Sequence, residues 1–406
     1  MRTSGTRVAG TLLALSSLVV ATSCSEDDTA PTAGGDIKIA LFVNASGPLP
    51  TGEENAVPVA QAWADTVNGS GGIDDREVEI VVVDTKGDAP TATSAAREVL
   101  ADESIVAGVM FDGATEGLIA EEITSSGLPM IGGMGYDPNV WGTQPNWLPL
   151  TTTIPSIFTM GMTLGASLDA HNVGMTICAE VAPCEAAEPI AQGASENLGL
   201  DYVGTYKISS SSPDYTAECL SIIDAGADYV MLGAATPAAA LRLASDCDTQ
   251  SYTGKWGMFG GVIVPKVMRE NYPGVRIDLA LNAFPWFTDE APVVRYREMV
   301  ADAGVDPEVA EDPHSTAAYA TLELFRTALE SPDVEIPETL TRDDIVDIYS
   351  DAVVDEDVDG LLAQPVTFNR DAANSPITCY WYGWYENGKF GGASLAKPSC
   401  DPEGIS

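Results

Sequence analysis

Apolar positions along residues 36–283 keep switching between two rhythms. "DIKIALFV" (36–43) is a short apolar run, and Ala56, Val59, Trp63 and Val67 then recur at spacings of three and four, one face of a helix. "NGSGG" (68–72) ends it, glycine supplying the left-handed turn that helix ends often use. "VEIVVVD" (78–84) is almost continuously apolar, as a strand buried on both faces of a parallel sheet should be. The same reading predicts a helix over 91–103, a strand over 105–110, a helix over 115–125 and a strand over 128–131. It continues with helices over 156–170, 185–198, 214–225 and 237–247, interleaved with strands over 173–178, 202–208 and 228–233. Such alternation implies βαβ units, hence an α/β chain with parallel sheets covered by helices on both faces. Beyond 283 the pattern loosens, with helices near 291–303 and 314–330. "ITCYWYGWYENGKF" (377–390) predicts an antiparallel hairpin turning at Asn387-Gly388.

The first residues follow a different logic. Arg2 and Arg7 precede an apolar stretch, Val8 to Val20, and then small residues, Ala21 to Ser23. Basic, apolar, small is the order of a secretory signal peptide, assigned to 1–23, and the apolar run is short for a membrane span. Cys24 follows at once, as in a bacterial lipobox, although Ala21 stands where leucine is usual. Cys24 is therefore expected to be lipidated, with 24–35 a flexible charged tether. Setting Cys24 aside leaves six of seven cysteines, in an exported chain where disulfides persist. Six allow 15 pairings. Proximity suggests Cys178–Cys184, Cys219–Cys247 and Cys379–Cys400.

Charge narrows the function. The chain has 19 Lys and Arg against 60 Asp and Glu, net −41, and loss of Arg2 and Arg7 with the leader makes it −43. A nucleic-acid partner, which needs a basic face, is excluded. The acids are spread along the chain as a solvated exterior. No G-x-S-x-G, H-E-x-x-H or P-loop occurs. Asp355, Asp357, Asp359 and Gly360 imitate the start of an EF-hand loop, but Val366 stands where its bidentate Glu belongs. With only His171 and His314 in the chain, no zinc site is expected, nor any other metal or cofactor.

Three marks in order carry a resemblance: Ser46-Gly47-Pro48 after the first strand, Asn68 to Ile73 ending the first helix, and Asp84 to Asp88 after the second strand. With "SSPDYTAECLSIIDAGADYVMLGAATPAAALRLASDC" (211–247) and "LLAQPVTFNRD" before the aromatic hairpin, residues 36–392 resemble type I periplasmic binding proteins, especially the leucine/isoleucine/valine-binding proteins of ABC importers. The resemblance implies two doubly wound lobes with a hinge and a central ligand cleft, which agrees with the crevice that open parallel sheets form at their strand C-ends. It places one lobe at 36–150 plus 284–363 and the other at 151–283 plus 364–406, with crossings near 149–155, 281–287 and 360–367. Closure around a ligand touching both lobes is the implied mechanism.

It also assigns cleft positions. Leu49 to Thr51 follow the first strand. Asp112, Gly113, Ala114 and Thr115 open a helix where amino-acid binders hold a carboxylate with a serine and helix-end amides. Tyr136, after Met134, stands in place of a threonine, Ala235 in place of an aromatic, and Phe259 or Gly260 where an acid pairs the ligand ammonium; Trp286 joins them at the second crossing. Asp112 is open to a second reading as a helix N-cap, and Met134, Tyr136, Phe259 and Trp286 to one as lobe core. The α-amino-acid grip is thus largely replaced. The expectation is a monomeric, non-enzymatic lipoprotein on the outer face of the cell membrane that delivers a small organic solute to an ABC permease. The alternative is a sensor signalling to a membrane partner.

Overall fold

The structure is a computed structural model and describes residues 35–48, 51–179, 187–233 and 236–401. Its strands are β1 (Ile37–Val43), β2 (Val78–Asp84), β3 (Ile105–Phe111), β4 (Met130–Gly133), β5 (Asn172–Cys178), β6 (Asp201–Ile208), β7 (Tyr229–Leu232), β8 (Lys255–Phe259), β9 (Ile277–Leu281), β10 (Cys379–Glu386), β11 (Lys389–Gly391) and β12 (Ser399–Cys400). Its helices are α1 (Ala56–Gly69), α2 (Ala89–Ala101), α3 (Glu116–Ser125), α4 (Ile154–Ser167), α5 (Ala187–Asn197), α6 (Thr216–Asp224), α7 (Pro237–Thr249), α8 (Pro265–Asn271), α9 (Ala291–Asp302), α10 (Pro307–Ala310), α11 (Pro313–Leu329) and α12 (Arg342–Ala352).

Two sheets result, one per lobe. The first runs β2-β1-β3-β4, all parallel. The second runs β11-β10-β9-β8-β7-β5-β6, parallel from β6 to β9, with β10 antiparallel and β12 paired to β10. Side chains alternate between the faces of each strand. In β1, Ile37, Ile39, Leu41 and Val43 pack with Val59 and Trp63 of α1 and Phe325 of α11. Ala40 and Phe42 pack with Ala92 and Ala96 of α2 and Ile119 of α3. In β7, Tyr229 and Met231 face Met160 of α4 and Ala191 of α5, while Val230 and Leu232 face Ile222 of α6 and Leu241 of α7. Both faces of the central strands β1 and β3 are dry, which is why they show no polar alternation, whereas "VEIVVVD" (β2), expected to be buried on both faces, is the half-buried edge strand.

Helices α9, α11 and α12 return to the first sheet's side: α11 packs on α1 and β4, and α12 on β3. A buried hydrogen bond from Trp63 Nε1 to Glu323 Oε1 (2.7 Å) fastens α1 to α11. The chain therefore passes between lobes three times: after β4, after β9 and after α12. Two ion pairs also join the lobes, Lys266 to Glu308 (2.5 Å) and Arg269 to Glu311, between α8 and the α10 region.

Cys219–Cys247 clips α6 to α7, and Cys379–Cys400 joins directly paired residues of β10 and β12. Cys178 is disulfide-bonded, while Cys184 and Cys24 lie outside the described residues. The hairpin turns at Asn387 (φ 51°) and Gly388 (φ 76°), the left-handed pair that an Asn-Gly turn requires. The EF-hand-like loop is internally tied: Asp357 Oδ1 accepts from Gly360 N (3.1 Å) and Asp359 pairs with Arg295. No helix among the described residues is long and apolar enough to cross a membrane.

Candidate ligand-binding site

The loops after β1, β3 and β4 meet the start of α11 and the turn after β8. Asp84, at the end of β2, shapes the first loop: its Oδ1 accepts from Ala45 N (3.0 Å) and Ser46 N (3.2 Å). Beyond the loop, Gly52 takes φ 91°, and a Cβ there would lie 3.3 Å from His314 Nδ1. Glycine at 52 lets the chain pass over the imidazole and turn Glu53 inward.

Glu53 is 5% exposed. One carboxylate oxygen, Oε1, accepts from Gly113 N at 3.3 Å in the loop after β3. The other, Oε2, has no hydrogen-bond partner; the Thr51 hydroxyl favours the charged form but lies outside hydrogen-bonding geometry. Burial pushes the Glu53 carboxyl up to about 7, against the pull of His314 and with the push of Asp112.

His314 is buried at the start of α11. Asp312 caps that helix through His314 N (2.9 Å) and also holds His314 Nδ1 at 2.8 Å. Burial disfavours the imidazolium, but Asp312, by charge and hydrogen bond, and then Glu53 raise its pKa above the ordinary value. In the protonated form Nδ1–H donates to Asp312 and Nε2–H points at the Tyr136 hydroxyl, 3.4 Å away. Burial, then Glu53, Glu116 and Asp312, hold Tyr136 well above its usual range, so it is a neutral phenol.

Tyr136 crosses from one lobe to the other. A Cβ on Gly113 would lie 2.3 Å from its Cδ2, and one on Gly261 would lie 2.8 Å from its hydroxyl. Its base is fixed by Glu116, whose Oε1 accepts from Tyr136 N (2.7 Å) and Asp137 N (2.5 Å) and whose Oε2 accepts from Trp141 Nε1 (2.6 Å). Burial raises the Glu116 carboxyl to about 7 despite these three donors. Next to Gly261, a Cβ on Gly260 would lie 1.9 Å from Asn282 Oδ1. Asn282, on the second crossing, is 3% exposed, and neither its Oδ1 nor its Nδ2 has a partner. On the first crossing, buried Thr152 likewise has an unpartnered hydroxyl. Buried polar atoms are nearly always paired, and three residues that carry unpartnered ones, Glu53, Thr152 and Asn282, lie where the two lobes meet.

A profile described as a periplasmic binding protein matches residues 36–389. The chain belongs to that family. Among solved structures, this periplasmic binding protein is similar to a fatty acid ABC transporter substrate-binding protein from Thermomonospora curvata, at 17% identity over 91% of this chain and 93% of that one, TM-score 0.69. It is similar to the branched-chain amino acid substrate-binding protein LivJ from Streptococcus pneumoniae, in complex with isoleucine, at 15% identity over 88% and 99%, TM-score 0.68. A third is an R. palustris solute-binding protein in complex with 4-hydroxybenzoate, at 15% over 91% and 98%, TM-score 0.70. At these identities the likeness is one of fold. No curated protein matches the chain.

Within this binding-protein fold, Gly113, Tyr136 and Gly260 come together around Glu53 and His314. Thr51 lies at the rim, exposed, as does Ala114. Asp112 belongs to its own loop: its carboxylate accepts from Ala114 N (3.0 Å), Thr115 N (3.2 Å) and the Thr115 hydroxyl, tying the turn ahead of α3, whose N-cap is Thr115 and not Asp112. Phe259 is half-buried, edge-on to Phe158. Met134 is fully buried in the core. Trp286 stands apart, lining a cavity of about 510 Å³ with Phe287, Phe390 and Arg269. Ala235 lies outside the described residues. Sequence reasoning missed Glu53, Asp312, His314 and Asn282. The one available signal was "TGEEN", which sets two acids directly before an apolar helix.

Proposed function

We propose that this protein captures a small organic solute by closing two lobes around it and delivers it to an ABC-type importer. The site is formed by the Glu53, Tyr136 and His314 group of one lobe, the Gly260–Gly261 turn of the other and Asn282 of the crossing between them. The observation that carries the reading is the pairing of unsatisfied buried polar atoms, Glu53 Oε2 and Asn282, across a junction that the chain crosses three times. Open parallel sheets bind ligands at their strand C-ends, where these loops lie. A ligand that contacts both lobes favours the closed form by its differential affinity. The lobes divide near 150, 283 and 363. Lipid on Cys24 keeps the protein on the outer face of the cell membrane, beside its permease. Mass spectrometry of small molecules released from purified protein, with X-ray scattering before and after reloading, tests this. A bound compound whose return shrinks the radius of gyration is expected. A protein that purifies without any small molecule and does not compact with any tested solute would overturn it.

A further inference from the structure

We infer that the solute presents a positively charged nitrogen, an ammonium or guanidinium group, to the free oxygen of Glu53. The inference rests on solute capture between the lobes and names the class of solute. Glu53 Oε1 already holds the Gly113 amide, so the loop's donor is occupied by the protein's own carboxylate, and Oε2 is the atom left for a ligand. The groups that face Glu53 are His314 of α11, Asp112 of the loop after β3, the neutral Tyr136 phenol of the loop after β4, Thr51 and the Gly113 amide. Asp312 backs His314 from the other side, and Glu54 adds a further acid to the imidazole's surroundings. One imidazole thus stands among four carboxylates. An anion placed there would be repelled by buried charge. A neutral hydroxyl would complete the hydrogen bond but leave that charge uncompensated. A cation does both.

The far end has different chemistry. Asn282 is buried, with one free donor and one free acceptor, beside the Gly260–Gly261 turn that the Tyr136 hydroxyl reaches. The Tyr136 ring lies against Gly113 and its hydroxyl against Gly261, and the ring of Phe259, edge-on to Phe158, also borders Gly261. The solute is an organic amine or guanidine with an apolar middle and a neutral hydrogen-bonding group at its other end. Aromatic faces beside the cation add favourable contact. Because burial sets the Glu53 carboxyl near 7, a ligand that needs its ionised form should bind about tenfold more weakly at pH 6 than at pH 8.

The test is calorimetry at pH 8 with a panel of small amines and guanidines, tyramine and agmatine included, each beside its alcohol and carboxylate isosteres (tyrosol and 4-hydroxyphenylacetate for tyramine). At least one cation should bind, its alcohol at least about tenfold more weakly and its carboxylate not measurably. Glu53→Gln should weaken the cation at least about tenfold and leave the alcohol within about threefold. A panel in which no cation binds overturns the inference. So does an alcohol or carboxylate that binds better than its cationic isostere, and in that case solute capture stands while the class is wrong. Absence of any co-purified molecule, together with no compaction on adding any panel member, would instead remove solute capture itself.

Discussion

Replacing Glu53 by Gln should make the unliganded protein more stable at alkaline pH while weakening its site. The carboxyl ordinarily titrates near 4.5 and here near 7. The folded state therefore holds its proton more tightly than the unfolded state, and stability is full below 4.5 and falls as pH rises toward 7. At about 1.4 kcal/mol per pH unit, the ionised Glu53 costs on the order of 3 kcal/mol above pH 7. Glutamine keeps an acceptor for Gly113 N and places its amide nitrogen at Oε2, where no hydrogen bond is lost. The substitution should add little at pH 5 and about 2 to 3 kcal/mol more at pH 8. Guanidinium unfolding followed by tryptophan fluorescence, read as variant minus wild type at each pH, measures this; the other titrating groups cancel in the difference. A pH-independent difference, or a variant less stable than wild type at pH 8, would refute the reasoning. Glu116 has a similarly raised carboxyl but is the wrong position, because the Trp141 indole N–H faces its second oxygen.

Three further outcomes are expected. Cys219→Ser with Cys247→Ser should lower unfolding stability by roughly 2–4 kcal/mol without changing the radius of gyration, since the bridge clips α6 to α7 within one lobe; an unchanged denaturation midpoint would count against it. Free leucine should bind more weakly than micromolar in calorimetry, because Glu53 occupies the Gly113 amide and would repel a carboxylate, and a tighter value would contradict that. Cys24→Ala should leave the protein in the soluble fraction or unprocessed; normal processing with membrane retention would reject the lipid anchor.

The chain displays its scaffold more openly than its site. A parallel strand buried on both faces, such as β3, announces itself as an apolar run, whereas β2, equally apolar in sequence, is a half-buried edge strand; Asn387-Gly388 sets its own hairpin. Strand β8, "KWGMF", was not foreseen, because five residues with a glycine at the centre carry no usable periodicity. Helix α12 was missed although Ile345, Val346, Ile348 and Tyr349 share a face and Thr341 with Asp344 forms a capping box, a legible signal hidden among acids. The site was harder for a physical reason. Glu53 looks like one of 60 acids until residues 60 and more than 250 positions away fold over it, and burial of a charge is a long-range property that no local pattern records.

The two ion pairs between α8 and the α10 region acquire a further meaning in a molecule this acidic. Each lobe carries a large excess of like charge, so bringing the lobes together is work done against a diffuse repulsion. At 0.01 M salt that repulsion reaches about 30 Å, and at 0.15 M about 8 Å. The Lys266–Glu308 and Arg269–Glu311 contacts act at bond-like range and are screened least. Added salt is therefore expected to dissolve the long-range opposition before it loosens the short-range clasp, and so to move the proposed balance toward the shut form. Under the proposed closure, brine, which loosens many charged assemblies, is expected to act on this one as a closing agent.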